Sequence, residues 1–290
     1  MPTKFTSPMP LIDAHQHYWD PARGDYFWLT PDLAALYRRF GPADLAPLLA
    51  EHGVAGTILV QAAPTIAETD YMLAIADATP SVLGVVGWVD FEDASHLAHL
   101  ERFARHPKFK GLRPMIQDIA DPDWMLRRDL DWAFEAMIGH DLAFDALTHP
   151  KHLPNLLALL KRHEGLRCVI DHASKPAVSR GEFEPWASDM ARLAGETQAF
   201  VKFSGLVTEA GAGWRIDDLA PFATHLLAKF GPQRMIFGSD WPVCKLAASY
   251  GAWFETAREL TAHLGEACRA DIFGGVAARA YRLQPHIPLA

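Results

Sequence analysis

The sequence of 290 residues contains three cysteines, Cys168, Cys244 and Cys268, and no Cys-x-x-Cys pair. Their wide spacing argues against a disulfide framework and against a zinc site built from thiolates. Runs of roughly 18 to 20 apolar residues are also missing, so no membrane-spanning helix is predicted. The amino-terminal segment lacks the apolar core of a signal peptide. We therefore expect a soluble, cytoplasmic protein without a membrane partner.

Clusters of basic residues are absent as well. The 27 Lys and Arg residues are outnumbered by 35 Asp and Glu residues, which gives a formal net charge of −8 at pH 7. Nucleic-acid binding depends on clustered Lys and Arg, so we expect a small-molecule ligand instead. Hydrophobic residues make up 50% of the chain, enough for a large core. No linker interrupts the pattern, and residues 1–290 are predicted to form a single domain of undetermined oligomeric state.

Apolar runs typical of strands alternate with amphipathic, helix-like stretches along the whole chain. The predicted strands are residues 11–15, 57–61, 82–89, 110–114, 142–147, 167–172, 199–204 and 235–239. Apolar runs without polar alternation are typical of parallel strands buried on both faces. Eight strand–helix units in a chain of this length predict an α/β fold, the (β/α)8 TIM barrel. A doubly wound open sheet is the alternative, but the first strand leads into histidines and not into a Gly-x-Gly-x-x-Gly loop.

Side chains able to do chemistry stand at the carboxyl ends of the predicted strands, where barrel enzymes place their active sites. They are His15, His17, Gln61, Trp88, Asp90, Arg113, Asp145, His172, Lys202, Ser204 and Asp240. His15 and His17 are separated by one residue in an extended segment, so their rings face the same side and can converge on one ion or oxygen. Asp240 ends the last strand, which lies beside the first in a closed barrel. This pattern predicts an active site.

These residues resemble the amidohydrolase superfamily, whose first strand ends in His-x-His and whose last strand ends in Asp. Five segments resemble its sugar-lactone hydrolases more narrowly, namely the L-fuconolactonases and L-rhamnonolactonases. The segments are residues 12–19, 110–113, 169–172 with 175–176, 202–206 and 237–242. The resemblance spans nearly the whole chain. It implies an amidohydrolase-like barrel that opens an aldonolactone, such as L-fucono-lactone or a related L-sugar lactone.

The chain departs from the metal-binding pattern of the superfamily at two strands. Arg113 ends the fourth strand, where binuclear members carry a carboxylated lysine, so no binuclear centre is expected. Asp145 ends the fifth strand, where mononuclear members carry a histidine. One Zn²⁺ could be held by four residues, or the same residues could work without an ion, and both alternatives stay open at this stage. The four are His15, His17, His172 and Asp240.

The resemblance also implies roles for individual residues. Asp240 is the expected general base that activates a water molecule. Arg113 is expected to face the carbonyl oxygen as it gains negative charge. The three histidines would bind a Lewis-acid ion or donate hydrogen bonds directly. The chemistry of other residues near the barrel mouth suggests the sugar contacts. Asp145 and Lys202 could each bind a sugar hydroxyl or form a buried structural hydrogen bond, and Trp241, Tyr18 and Trp28 could pack on the sugar ring or form a structural rim.

Three other functions remain as alternatives. One is a metal-dependent decarboxylase or hydratase of a small carboxylic acid, because a neighbouring branch of the superfamily uses similar barrels for such acids. Another is a lactonase acting on a non-sugar dicarboxylate lactone. The third is a sugar-binding module that keeps the barrel without catalysis, against which the complete set of polar strand-end residues speaks.

Overall fold

The computed structural model describes residues 10–283, and in this part of the chain eight parallel strands form one sheet in the order β1 to β8. The strands are β1 (Leu11–Gln16), β2 (Val54–Val60), β3 (Val82–Gly87), β4 (Phe109–Leu112), β5 (Ala143–Ala146), β6 (Arg167–Ile170), β7 (Phe200–Phe203) and β8 (Met235–Phe237). A parallel bridge between Gln16 and Trp241 joins the two edges of the sheet. The predicted (β/α)8 barrel is confirmed, and each of the eight predicted strands overlaps an observed one.

Helices connect consecutive strands, and three more α-helices follow β8 in the described part of the chain. They are α1 (Pro42–His52), α2 (Ile66–Ala78), α3 (Leu97–Ala104), α4 (Asp131–Gly139), α5 (Leu153–Arg162), α6 (Trp186–Glu196), α7 (Leu206–Ala210), α8 (Ile216–Phe230), α9 (Tyr250–Leu260), α10 (Glu266–Ala270) and α11 (Val276–Ala280). In α5 the leucines Leu153, Leu156, Leu157 and Leu160 are buried, and each contributes about 1.5–3 kcal/mol by leaving water. None of the helices between residues 10 and 283 combines the length and apolar character of a membrane span.

The carboxyl-terminal part of the described chain packs against the amino-terminal ends of the strands. Helix α11 follows a π-helical turn, Asp271–Gly275, which passes close to Pro10 at the start of β1. Val276, Ala277 and Tyr281 pack against inward-facing strand residues such as Ile58. The hydroxyl of Tyr281 donates to Asp145 on β5, at 3.0 Å from Oδ1 and 2.9 Å from Oδ2. Helix α11 and Tyr281 therefore reach the interior of the barrel from below.

Strand β6 leads directly into a left-handed turn. The four consecutive residues His172, Ala173, Ser174 and Lys175 have φ values of 51°, 50°, 59° and 52°. Such values are uncommon for residues other than glycine. The turn brings the ring of His172 against Gly205, which precedes α7 with a φ of 70°. A Cβ atom at Gly205 would lie 2.8 Å from ring atoms of His172, so only glycine fits there without displacement.

We expect the Gly205→Ala substitution to lower the free energy of unfolding by about 2–5 kcal/mol. A left-handed backbone costs an L-residue about 1–2 kcal/mol, and overpacking adds about 1–3 kcal/mol. Gly24 offers a matched control, because its φ is 76° and a Cβ atom there would meet nothing within 4 Å. Gly24→Ala should show only the backbone cost. Urea denaturation measures both variants, and equal losses would show that the contact with His172 imposes no constraint.

Candidate active site

A small pocket opens at the carboxyl ends of the strands and has a volume of about 140 Å³. This volume is smaller than the roughly 300–1,000 Å³ of pockets that hold drug-sized ligands, so the pocket suits a small molecule and not a polymer. Apolar groups, among them Trp28 and Met115, form part of the wall. The polar lining residues are His17, Arg113, Gln117, His172, Lys175 and Asp240.

The Asp240 carboxylate lies at the centre of three imidazole rings. Its Oδ1 atom is 3.4 Å from His17 Nε2, 3.7 Å from His15 Nε2 and 3.8 Å from His172 Nε2. Closure of the barrel produces this arrangement: the backbone N–H of Asp240 donates to the carbonyl of His15 at 2.8 Å, and that of His17 donates to the carbonyl of Trp241 at 2.7 Å. The structure thus brings together His15, His17, His172 and Asp240, as their positions at strand ends predicted.

The electrostatics of this cluster favour neutral histidines and an ionised aspartate. Burial lowers the pKa of His172 to about 4, and it lowers the pKa of His17 as well. Burial and the nearby charge of Lys202 hold the pKa of His15 well below its usual value. Burial alone would raise the pKa of Asp240, but interactions with the three histidines outweigh it and keep that pKa below the usual range. At neutral pH the pocket therefore presents one carboxylate beside uncharged rings.

Arg113 occupies the opposite side of the cluster and is held by several acceptors. Its Nη2 atom donates to the backbone carbonyl of Gln61, while the Gln61 amide donates back to the carbonyl of Arg113 at 2.7 Å. Its Nη1 atom lies 3.4 Å from Asp171 Oδ2 and 3.5 Å from His15 Nε2. These contacts fix the guanidinium with one edge at the pocket, where it can meet a substrate oxygen.

Asp145 and Lys202 lie beneath the pocket, and neither has any exposed surface. Lys202 Nζ is 2.5 Å from Asp145 Oδ2, 2.9 Å from Asp171 Oδ1 and 2.9 Å from His15 Nδ1. Burial raises the pKa of Asp145 to about 6. Burial alone would raise the pKa of Asp171, but the charge of Lys202, the interaction with His15 and the charge of Arg113 hold it well below the usual value. Asp145 and Lys202 thus form a buried network that supports the site, which agrees with the structural alternative of the sequence analysis.

The three aromatic residues considered as sugar contacts occupy different positions: one lines the pocket and two are buried outside it. Trp28 lines the pocket, and its indole N–H donates to the carbonyl of Ala62 at 2.7 Å. Tyr18 and Trp241 are buried and pack edge to face with ring centres 6.2 Å apart. They do not line the pocket, because the strand-end backbone turns them into the packing layer outside it. A substrate contact stays a prediction for Trp28 alone.

Two polar pocket residues were not predicted as site residues. Lys175 and Gln117 come from the loops after β6 and β4, and Lys175 Nζ donates to Gln117 Oε1 at 2.5 Å. Lys175 belongs to a segment that carried the family resemblance, and this was a signal for it. Gln117 follows its strand by several residues and had no such signal. Together they add one cation and one amide to the pocket.

Potential metal ligands occur in two groups among residues 10–283: His15, His17 and Asp240, and His15, Asp171 and His172. Within each group the ligand atoms lie within 4.8 Å of one another, close enough to surround one ion. Both groups need His15, however, and His15 Nδ1 faces an ammonium group that can only donate a hydrogen bond. The distances fit an ion, provided that the ring nitrogen of His15 that faces it carries no proton.

Comparison with known proteins gives relatives that cover nearly the whole chain. An L-fucono-1,5-lactonase of Burkholderia ambifaria is 46% identical over 94% of this chain and 95% of its own length. An L-fucono-1,5-lactonase of Burkholderia multivorans is 36% identical over 94% of this chain and 96% of its own length. The crystal structure of an amidohydrolase from Burkholderia multivorans with bound zinc matches 95% of this chain and 100% of that one, at 35% identity and a TM-score of 0.88. The amidohydrolase family model matches residues 12–283, and the chain belongs to the amidohydrolase family.

Proposed function

We propose that the protein hydrolyses an L-sugar 1,5-lactone, with L-fucono-1,5-lactone or a stereochemically related aldonolactone as its substrate. The observation that carries this proposal is the ionised Asp240 carboxylate facing the same small pocket as the Arg113 guanidinium. The L-fucono-1,5-lactonases that share 46% and 36% of their residues with this chain support the class of substrate. The mixed lining suits a sugar ring, because apolar groups can pack on its C–H faces while polar groups bind its hydroxyls.

In the proposed reaction, Asp240 removes a proton from a water molecule as that water attacks the lactone carbonyl carbon. Arg113 donates to the carbonyl oxygen, which becomes an oxyanion in the tetrahedral intermediate. The bond from the carbonyl carbon to the ring oxygen then breaks. The proton held by Asp240 passes to that oxygen, so the products are a free hydroxyl group and an aldonic acid, which then releases its proton to the solvent and becomes the aldonate. Every step uses residues of this chain.

The function is tested by following acid release with a pH indicator across a panel of aldonolactones that differ in stereochemistry and ring size. We expect rapid opening of the L-fucono or a related L-series lactone, both after treatment with a chelator and after Zn²⁺ is restored. Selective conversion of a dicarboxylate lactone, or of an unsaturated carboxylic acid followed by ultraviolet absorbance, would instead support one of the alternative activities. Failure to open any lactone under either condition would contradict the proposal.

We expect the Asp240→Asn substitution to lower kcat by about 10²–10⁴, the usual contribution of a positioned general base. The amide keeps the size of the side chain but cannot accept the proton of water. Glu209→Gln is the matched control, since Glu209 is a half-buried acid on α7 that does not line the pocket. Circular dichroism shows whether both variants are folded. An Asp240→Asn variant that opens lactone at the parent rate would remove Asp240 from the mechanism.

The Arg113→Lys substitution should lower kcat by about 10²–10³, as the loss of one oxyanion donor typically does. Lysine keeps the positive charge but lacks the planar fork that contacts Gln61, Asp171 and the pocket together. Steady-state kinetics on the preferred lactone measure the effect, and a thermal melt of the same sample reports stability. A change confined to KM would show that Arg113 binds the ground state and the transition state equally.

A further inference from the structure

One continuous series of hydrogen bonds starts at Lys202, passes through His15 on β1 and His17 just after β1, and ends at Val60. Lys202 Nζ lies 2.9 Å from His15 Nδ1, His15 Nε2 lies 3.2 Å from His17 Nε2, and His17 Nδ1 lies 2.7 Å from the carbonyl oxygen of Val60. All of the side chains in this series are buried. The series begins at an ammonium group, which can only donate, and ends at a carbonyl oxygen, which can only accept.

These two ends set the position of every proton between them. Because Lys202 donates to Nδ1 of His15, the proton of this neutral ring is on Nε2. That Nε2–H donates to Nε2 of His17, whose own proton is on Nδ1 and faces Val60. Arg113 Nη1 is also near His15 Nε2, but at 3.5 Å it is too far away to compete with the 2.9 Å contact of Lys202.

A histidine binds a metal ion through a ring nitrogen that carries no proton, and its other ring nitrogen usually donates to a carboxylate or a carbonyl. A carboxylate is available to His15, since Asp171 Oδ1 lies 3.6 Å from its Nδ1. The ammonium group of Lys202 contacts both of these atoms and so takes the place that the donated proton would need. His15 as a zinc ligand and Lys202 as its donor therefore exclude each other.

We propose that Lys202 is a positioning residue that holds His15 as the Nε2–H tautomer, joins His15 to His17 and thereby disfavours binding of a metal ion between them. Lys202 is itself held by the carboxylates of Asp145 and Asp171, and Asp145 accepts a hydrogen bond from Tyr281. The tautomer and the affinity for zinc can be measured without substrate.

The tautomer is tested on the unmodified protein. A long-range ¹H–¹⁵N spectrum of protein labelled with ¹⁵N-histidine distinguishes rings protonated on Nε2 from rings protonated on Nδ1, and the His15→Gln spectrum assigns the signals of His15. We expect His15 to be protonated on Nε2 and His17 on Nδ1. A proton on Nδ1 of His15 would overturn the proposal, whatever the protein does with lactones.

The zinc affinity is tested with the Lys202→Met/Asp145→Asn double variant, which removes the buried ammonium together with one carboxylate and so keeps the buried charge balanced. Titration of Zn²⁺ against a chromophoric chelator should show at least tenfold tighter binding than in the parent protein, the size of effect typical of a ligand's supporting partner. In the same variant the histidine spectrum should show His15 protonated on Nδ1, facing Asp171. Unchanged zinc affinity in a folded variant would contradict the proposal.

Two control variants separate the tautomer from simpler effects. Asp145→Asn alone keeps Lys202 in place and should bind zinc as the parent does. Lys175→Met removes a positive charge from the pocket wall and leaves the donor to His15 intact. An equal gain in zinc affinity in Lys175→Met would show that charge, and not the tautomer of His15, controls binding of the ion. If the double variant does not fold, the spectrum of the unmodified protein still decides.

Discussion

The ammonium group of Lys202, enclosed between two carboxylates inside the barrel, is the interaction on which the rest of the site depends. It connects β5, the end of β6 and β7 with His15 on β1. A buried charge without partners is strongly unfavourable, so each of these groups requires the others. The same contacts that neutralise Lys202 also orient His15, one of the three histidines around the reacting carboxylate. Stability of the barrel interior and arrangement of the site are therefore produced by one set of atoms.

Closure of the barrel supplies the second constraint. The first and last strands meet through backbone hydrogen bonds at His15, His17 and Asp240, the same residues that carry the proposed chemistry. Asp13 strengthens this junction, because its Oδ1 atom accepts from the backbone N–H of Ser239 at 2.8 Å and from that of His15 at 3.2 Å. The distances between Asp240 and the two histidines of the first strand region are thus set by hydrogen-bonded strand ends.

The barrel and the cluster around Asp240 could be predicted because strand periodicity identifies which residues end each strand. Depth inside the barrel could not be predicted in this way. Asp145 and Lys202 belong to short strands whose stagger places them a layer below the pocket, and stagger depends on the tilt of the closed sheet. Tyr281 had no local signal either, since its role arises from how the carboxyl-terminal helix packs under the strands. For Tyr18 and Trp241 the choice between a sugar contact and a structural role stayed open, because sequence alone does not show which way a strand-end aromatic side chain turns.

The contact between Tyr281 and Asp145 has a consequence for biosynthesis. Every residue that lines the pocket precedes Tyr281 in the chain, and all eight strands are complete well before it is translated. Until helix α11 has been made and has packed, the underside of the barrel is uncovered and Asp145 lacks one of its donors. The newly made enzyme can thus have its strands and pocket residues in place while the support beneath them is still incomplete. Maturation of the site therefore requires a segment that follows every strand, and formation of the sheet alone does not complete it.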